Sequence, residues 1–210
     1  MAALCGKATR SGYASRVLHL SGDLEADQFI SDNPLALLVG FVLDQQIQLE
    51  KAFSSPRDLR DRLGGELDAR AVATTDPERL AAIFSQPPAL HRFPVSNSER
   101  VQQLCRMIVQ DYEGSAQTIW QTASTGPELF RRVHALPGFG EQKAKIFVAF
   151  LGKQLGVHPP GWQEVCHPFG GSGTHLSVAD ITGPESLALV RAHKAQMKAA
   201  AKTQKTSARR

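Results

Sequence analysis

Long apolar runs, paired cysteines and C-terminal acids are what this 210-residue chain lacks, and each absence closes off a class of protein. No stretch approaches the roughly 20 consecutive apolar residues of a membrane span, and the N-terminus lacks the uninterrupted apolar region of a secretory signal. A cytoplasmic protein without membrane contact is expected. Cys5, Cys105 and Cys166 are too few and too scattered for a disulfide framework or a zinc pattern, so reduced thiols are expected. Alternating apolar runs are missing too, as are internal repeats and low-complexity stretches outside an Ala/Lys-rich tail.

Charge is unevenly spread. Residues 191–210 hold seven Lys or Arg and no Asp or Glu, so the rest of the chain is net negative although the whole carries a formal +4. A footprint for an acidic partner is therefore confined to patches and to the tail. Hydrophobic residues at 42% indicate a globular chain long enough to bury a real core.

Helix signals recur along the chain. Asp23 caps a short helix to Ile30, and Asn33-Pro34 caps an almost wholly apolar helix, Leu35 to Leu43, that belongs inside a bundle. Ser55-Pro56 predicts the opening of another, closed by Gly64-Gly65. Thr75-Asp76-Pro77-Glu78 opens the next, and the proline-bounded loop Gln86 to Pro94 follows. Ser96 and Glu99 form a capping box for a helix with Val101, Leu104, Ile108 and Tyr112 on one face. Ile119 and Trp120 fall in a shorter turn, and Thr182 to Glu185 begin a last helix with Leu187, Val190 and Met197 as its apolar side. The prediction is an all-α, two-lobed helical bundle of some eight to ten helices. Residues 1–16 form an N-terminal extension, 17–190 the body, and 191–210 a basic tail.

The most informative stretch runs from Glu128 to Leu155. Thr125 and Glu128 have capping-box spacing, with Leu129, Val133 and Leu136 as an apolar stripe. A second stripe of Ala144, Phe147, Val148 and Leu151 ends at Gly156, a helix-stop signal. Between them Leu136-Pro137-Gly138-Phe139-Gly140 is a tight hairpin whose glycines permit positive φ and leave N–H groups bare at a helix N-terminus. With Lys143 and Lys145 just inside, a phosphodiester is a plausible ligand, bound without regard to sequence.

LPGFG followed by a basic amphipathic helix resembles the helix-hairpin-helix element of the base-excision DNA glycosylases related to endonuclease III. The apolar helix ending in Leu43-Asp44-Gln45-Gln46 is similar to that family's core helix, whose polar end faces the lesion. The resemblance spans roughly Pro34 to Leu155. It implies a double-stranded DNA partner contacted by Gly138, Phe139, Gly140, Lys143, Lys145, Gln45 and Gln46, with a monovalent cation at the hairpin carbonyls as the one metal. An iron–sulfur cluster, present in some members, is not expected with these cysteines. His158, Cys166, His167 and His175 lack zinc spacing, and no other metal or cofactor is expected.

Two departures bear on chemistry. The family's Schiff-base lysine stands second after the last hairpin glycine, where this chain has Gln142; Lys143 is one step on, roughly 100° around the helix and so expected to face elsewhere. The family's aspartate follows the second helix, and residues 155–161 hold no acid. Asp44 and Glu164 are the substitute candidates for stabilising the developing sugar cation. Asp44 also fits a helix-terminal carboxylate satisfied by backbone or Arg. Leu90, His91 and Phe93 are candidates to fill the gap left by an extruded base, with Arg92 on a phosphate; Leu90 and Phe93 equally fit anchors of the loop to the core. The expectation is a monofunctional glycosylase, with a non-catalytic lesion-binding protein as the alternative.

Overall fold

The helix Pro34–Leu43 (α2) lies at the centre, with Leu35 to Leu43 all buried. Asn33 starts it, its side-chain oxygen accepting the Ala36 N–H at 3.0 Å, and Pro34 occupies the first turn where its missing N–H costs nothing. The computed structural model describes residues 17–207, with side chains through residue 200. The expected extension 1–16 lies outside the described residues. Among these residues there are eleven α-helices, one 3-10 turn and no strand. No helix is long and apolar enough to cross a membrane.

The first half wraps α2. Leu24–Asp32 (α1) is capped by Asp23, whose carboxylate accepts the Ala26 N–H at 2.9 Å. Leu49–Arg62 (α3) begins six residues before the expected Ser55-Pro56 opening and carries Pro56 inside. An internal proline costs about 3 kcal/mol, but burying Phe53 contributes about 1.5–3 kcal/mol, and Ala52 and Leu59 add to it. Phe53 stacks edge-on to Phe41 at 5.3 Å and fills the space over Gly40, where a Cβ would approach its ring to 2.6 Å. Packing overrides the local signal. Ser55 donates its hydroxyl to Lys51 O (2.7 Å) and Leu90 O (2.9 Å), tying α3 to the later proline loop.

Ala69–Thr74 (α4), too short for periodicity to reveal, is capped by Asp68; Pro77–Ser85 (α5) opens within the expected Thr75–Glu78 stretch, with Asp76 as its cap. Pro94–Asp111 (α6) starts two residues before Ser96, and no Ser96/Glu99 box forms, because Pro94 already occupies the first turn. Thr118–Gln121 (α7) buries Ile119 and Trp120.

The second half is built on two helices joined by a tight turn, Gly126–His134 (α8) and Glu141–Leu155 (α9). Thr125 accepts the Glu128 N–H at 3.2 Å, and Glu128 instead takes the Ser124 N–H and hydroxyl (2.9 and 2.7 Å) and Arg132 (2.6 Å). Those bonds, Ser124 first, hold its carboxyl down at about 2. Gly156, with φ +67°, stops α9 as expected. Trp162–Val165 (α10), the 3-10 turn Val178–Asp180 and Pro184–Ser207 (α11) complete the chain.

An aromatic cluster locks the halves together. Phe41 of α2 meets Phe147 at 4.7 Å and Phe150 at 5.2 Å, while Phe139 and Trp120 lie 5.5 and 5.9 Å from Phe147. The C-terminal end of α2 is thereby held against the N-terminal half of α9, which is the geometry the candidate site depends on.

Candidate functional site

Where α2 ends, Asp44 caps it and the chain turns sharply, with Gln45 N–H donating to Leu43 O at 2.6 Å and Gln46 in the left-handed region at φ +57°. A non-glycine residue held there stores strain of about 1 kcal/mol or more. Its neighbours hold it in place. His91 bonds Gln45 O at 3.0 Å through Nε2, while its Nδ1 accepts from Phe93 N–H (3.0 Å) and Asn97 Nδ2 (2.8 Å). Two donors on Nδ1 fix the tautomer: Nε2 carries the proton and donates it. Asn97 Oδ1 in turn accepts from Arg100 at 3.1 Å, and Arg100 reaches Gln45 Oε1 at 3.5 Å.

Across from this turn lies the α8–α9 hairpin. Gly138 has φ +87°, and a Cβ there would come within 2.6 Å of Arg100 Cδ, so both the backbone and the close approach require glycine. Gly140, expected to share that freedom, has φ −78° and open space around it. Among the described residues the N–H groups of Gly138 and Gly140 have no hydrogen-bond acceptor, and α9 has no side-chain cap, so its positive end is open to an anion.

Between the end of α2, the first turns of α9, the 168–178 loop and α11 lies a cavity of about 950 Å³. Asp44, Gln45, Gly138, Gly140, Gln142 and Lys143 line it on one side; Phe169, Leu176, His193, Lys194 and Met197 face them. Lys143, expected to face elsewhere, lines the cavity beside Gln142, because its long stem reaches back over α2. Its amine donates to Phe41 O (2.6 Å) and Val42 O (3.3 Å), satisfying carbonyls at a helix C-terminus. Burial lowers its pKa to about 8 against the pull of Asp44. Burial likewise raises the Asp44 carboxyl, opposed by Lys194 and Lys143. A partly desolvated carboxylate and a partly desolvated amine thus share one cavity.

Other candidates are placed differently. Glu164 is exposed on α10 and does not line the cavity. Phe139 is buried, 4% exposed, as a hinge of the aromatic cluster rather than a surface contact. Leu90 and His91 are also inside, at 0% and 2%, with Leu90 bonded through its N–H to Phe84 O (2.9 Å). Arg62 grips that loop through Ile83 O, Gln86 O and Pro88 O at 2.8–3.0 Å. Its exposed tip is Phe93, 45% exposed, with the Arg92 guanidinium 4.8 Å over its ring. Gln45 and Gln46 are exposed, and Lys145 pairs with Glu141 at 2.8 Å.

Arg100 was not anticipated, and no motif marks it; only the fold sets it between hairpin and turn. Cys105 and Cys166 are buried thiols pushed up by desolvation to about 12 and about 11, which keeps both protonated at neutral pH. Among the described residues no group of three His, Cys, Asp or Glu could hold a metal ion.

No family model, curated protein or solved structure matches the chain.

Proposed function

We propose that the protein acts in base-excision DNA repair: it binds duplex DNA at the turn between α8 and α9, takes one nucleotide into the cavity and hydrolyses its N-glycosidic bond. One observation carries this reading. The two stretches that resemble DNA glycosylases, Leu43 to Gln46 and Leu136 to Gly140, are some 90 residues apart in sequence yet contribute Asp44 and Gln45, and Gly138 and Gly140, to the lining of the same cavity. Gly138, Gly140 and the open end of α9 suit a backbone phosphate. Phe93 is exposed enough to fill the gap of an extruded base, with Arg92 beside it. The Asp44 carboxylate then stabilises the developing sugar cation or orients water, and Gln45 and Gln46 offer amides to the bases.

Gln142 cannot form a Schiff base, and the Lys143 amine is committed to two α2 carbonyls, so the expected enzyme is monofunctional. That commitment also favours a second reading, a lesion-binding protein in which Lys143 only caps α2.

The test is a panel of damaged duplexes incubated with the protein and then treated with alkali. Strand breaks appear only after alkali for at least one lesion, and Asp44→Asn lowers the single-turnover rate at least a hundredfold. Duplex affinity is retained, and Tm at pH 7 does not fall, because Asn removes a carboxylate whose ionised form burial disfavours. Binding without release of any base selects the lesion-binding reading instead.

A further inference from the structure

The C-terminal helix does more than carry charge. Ser186 caps its start, accepting the N–H groups of Thr182 (2.8 Å) and Gly183 (3.0 Å). Val190 is buried, Leu187 is half-buried, and Arg191 pairs with Glu50 of α3. Beyond these anchors α11 leaves the core, and His193, Lys194 and Met197, one face at spacings of one, three and four, become the outer wall of the cavity. Lys194 makes no ion pair or hydrogen bond among the described residues, in contrast to Lys143, Lys145, Lys153 and Arg191.

We propose that α11 completes the binding cavity and that Lys194 is a positioning residue holding Asp44 in its ionised form when a nucleotide displaces water from the site. This inference rests on the nucleotide-binding reading of the cavity. An occupant removes solvent from a carboxylate that is already partly desolvated, which favours protonation, and a charge that must act as a carboxylate then needs a cation close by. The groups facing Asp44 are few. From α9 come Lys143, fixed on the α2 carbonyls, and Glu141, paired with Lys145; from α11 come Lys194 and His193; from α6 Arg100 lies behind Gln45. Of the lysines and arginines among these, Lys194 is the one free to move toward Asp44 without giving up a bond. Its attraction already opposes the effect of burial on Asp44 more strongly than that of Lys143.

The test compares Lys194→Met with Lys198→Met, the same loss of charge one turn further on and outside the cavity. Carboxyl carbon NMR follows Asp44 in the full-length protein, and single-turnover base release is measured at saturating duplex. In Lys194→Met the Asp44 titration moves to higher pH, whereas Lys198→Met leaves it in place. Base release by Lys194→Met at pH 7 slows about tenfold, with the acid limb of the pH–rate profile moved the same way. An Asp44 titration unmoved by Lys194→Met, or moved equally by both variants, overturns the proposal. A moved titration with an unchanged saturating rate and acid limb overturns it as well. If the wild type releases no base from any duplex, the enzymatic reading fails by itself, and the NMR titration still decides the pairing of Lys194 with Asp44.

Discussion

His91 shows how much of the site depends on one proton. Its Nδ1 accepts from two N–H groups and its Nε2 donates to Gln45 O, so all its contacts assume a neutral ring. A second proton on Nδ1 would face the Phe93 N–H and the Asn97 amide head-on. Burial, with Arg100 and Arg92 adding to it, lowers the His91 pKa, and the Gln45 carbonyl only partly offsets this. A depressed histidine contributes stability above its unfolded pKa of about 6.5 that is lost as the pH falls through the folded value. Urea midpoints should therefore drop between pH 7.5 and pH 5. His91→Gln should be less stable than wild type at pH 7.5 by about 1–3 kcal/mol, having lost buried bonds, but its midpoint should change less with pH. Parallel pH profiles for the two proteins would mean the histidine does not report this network. Since the ring joins the Asp44–Gln46 turn to the Phe93 loop, acid should loosen both together.

At the scale of elements, the hairpin separates its two glycines. Gly138→Ala forces a side chain onto φ +87° and a Cβ against Arg100, a loss of about 1–2 kcal/mol. Gly140→Ala, with φ −78° and nothing within 4 Å, should stay within about 0.5 kcal/mol of wild type. Gly138→Asp adds negative charge where a phosphate is expected and should abolish most duplex binding in a protein that remains folded; an unchanged salt titration would remove the hairpin from the interface. Local chemistry made these helices readable from sequence: Asp23, Asn33 and Thr125 all cap as expected. The start of α3 was not readable, because Pro56 looks like an opener until Phe53 is seen against Gly40, and α4 is too short to show a period. Asp44, Gln45 and the hairpin were visible as motifs. Arg100, Phe169, Leu176 and His193 were not, since loops and distant helices carry them in. Phe139 and His91 are buried where surface contacts were expected, and Leu90 takes the anchoring one of its two expected roles, because nothing in a linear pattern says which side of a turn faces the core.

Across the whole molecule, charge and structure divide at Met197, the last of the described residues to line the cavity. Residues 198–210 carry five of the seven basic residues of the tail, and their removal takes the formal net charge from +4 to −1. As far as side chains are described, residues 198–200 are exposed. The backbone of the tail is helical to Ser207, which alanine-rich sequence and cations near a helix C-terminus both favour. Deletion of 198–210 should leave Tm and the saturating single-turnover rate unchanged, because core, hairpin and cavity all lie before it. Duplex affinity should instead fall, and the slope of log K against log salt should flatten by up to about 4.5, as five fewer cations meet phosphates. Deletion of 191–210 should add a second effect, slowing base release at saturation, because it takes away Lys194, Met197 and the Arg191 anchor. An unaltered salt slope in the shorter deletion would make residues 198–210 a solvated helix with no part in binding, and equal saturating rates in the two deletions would place the catalytic apparatus wholly before α11.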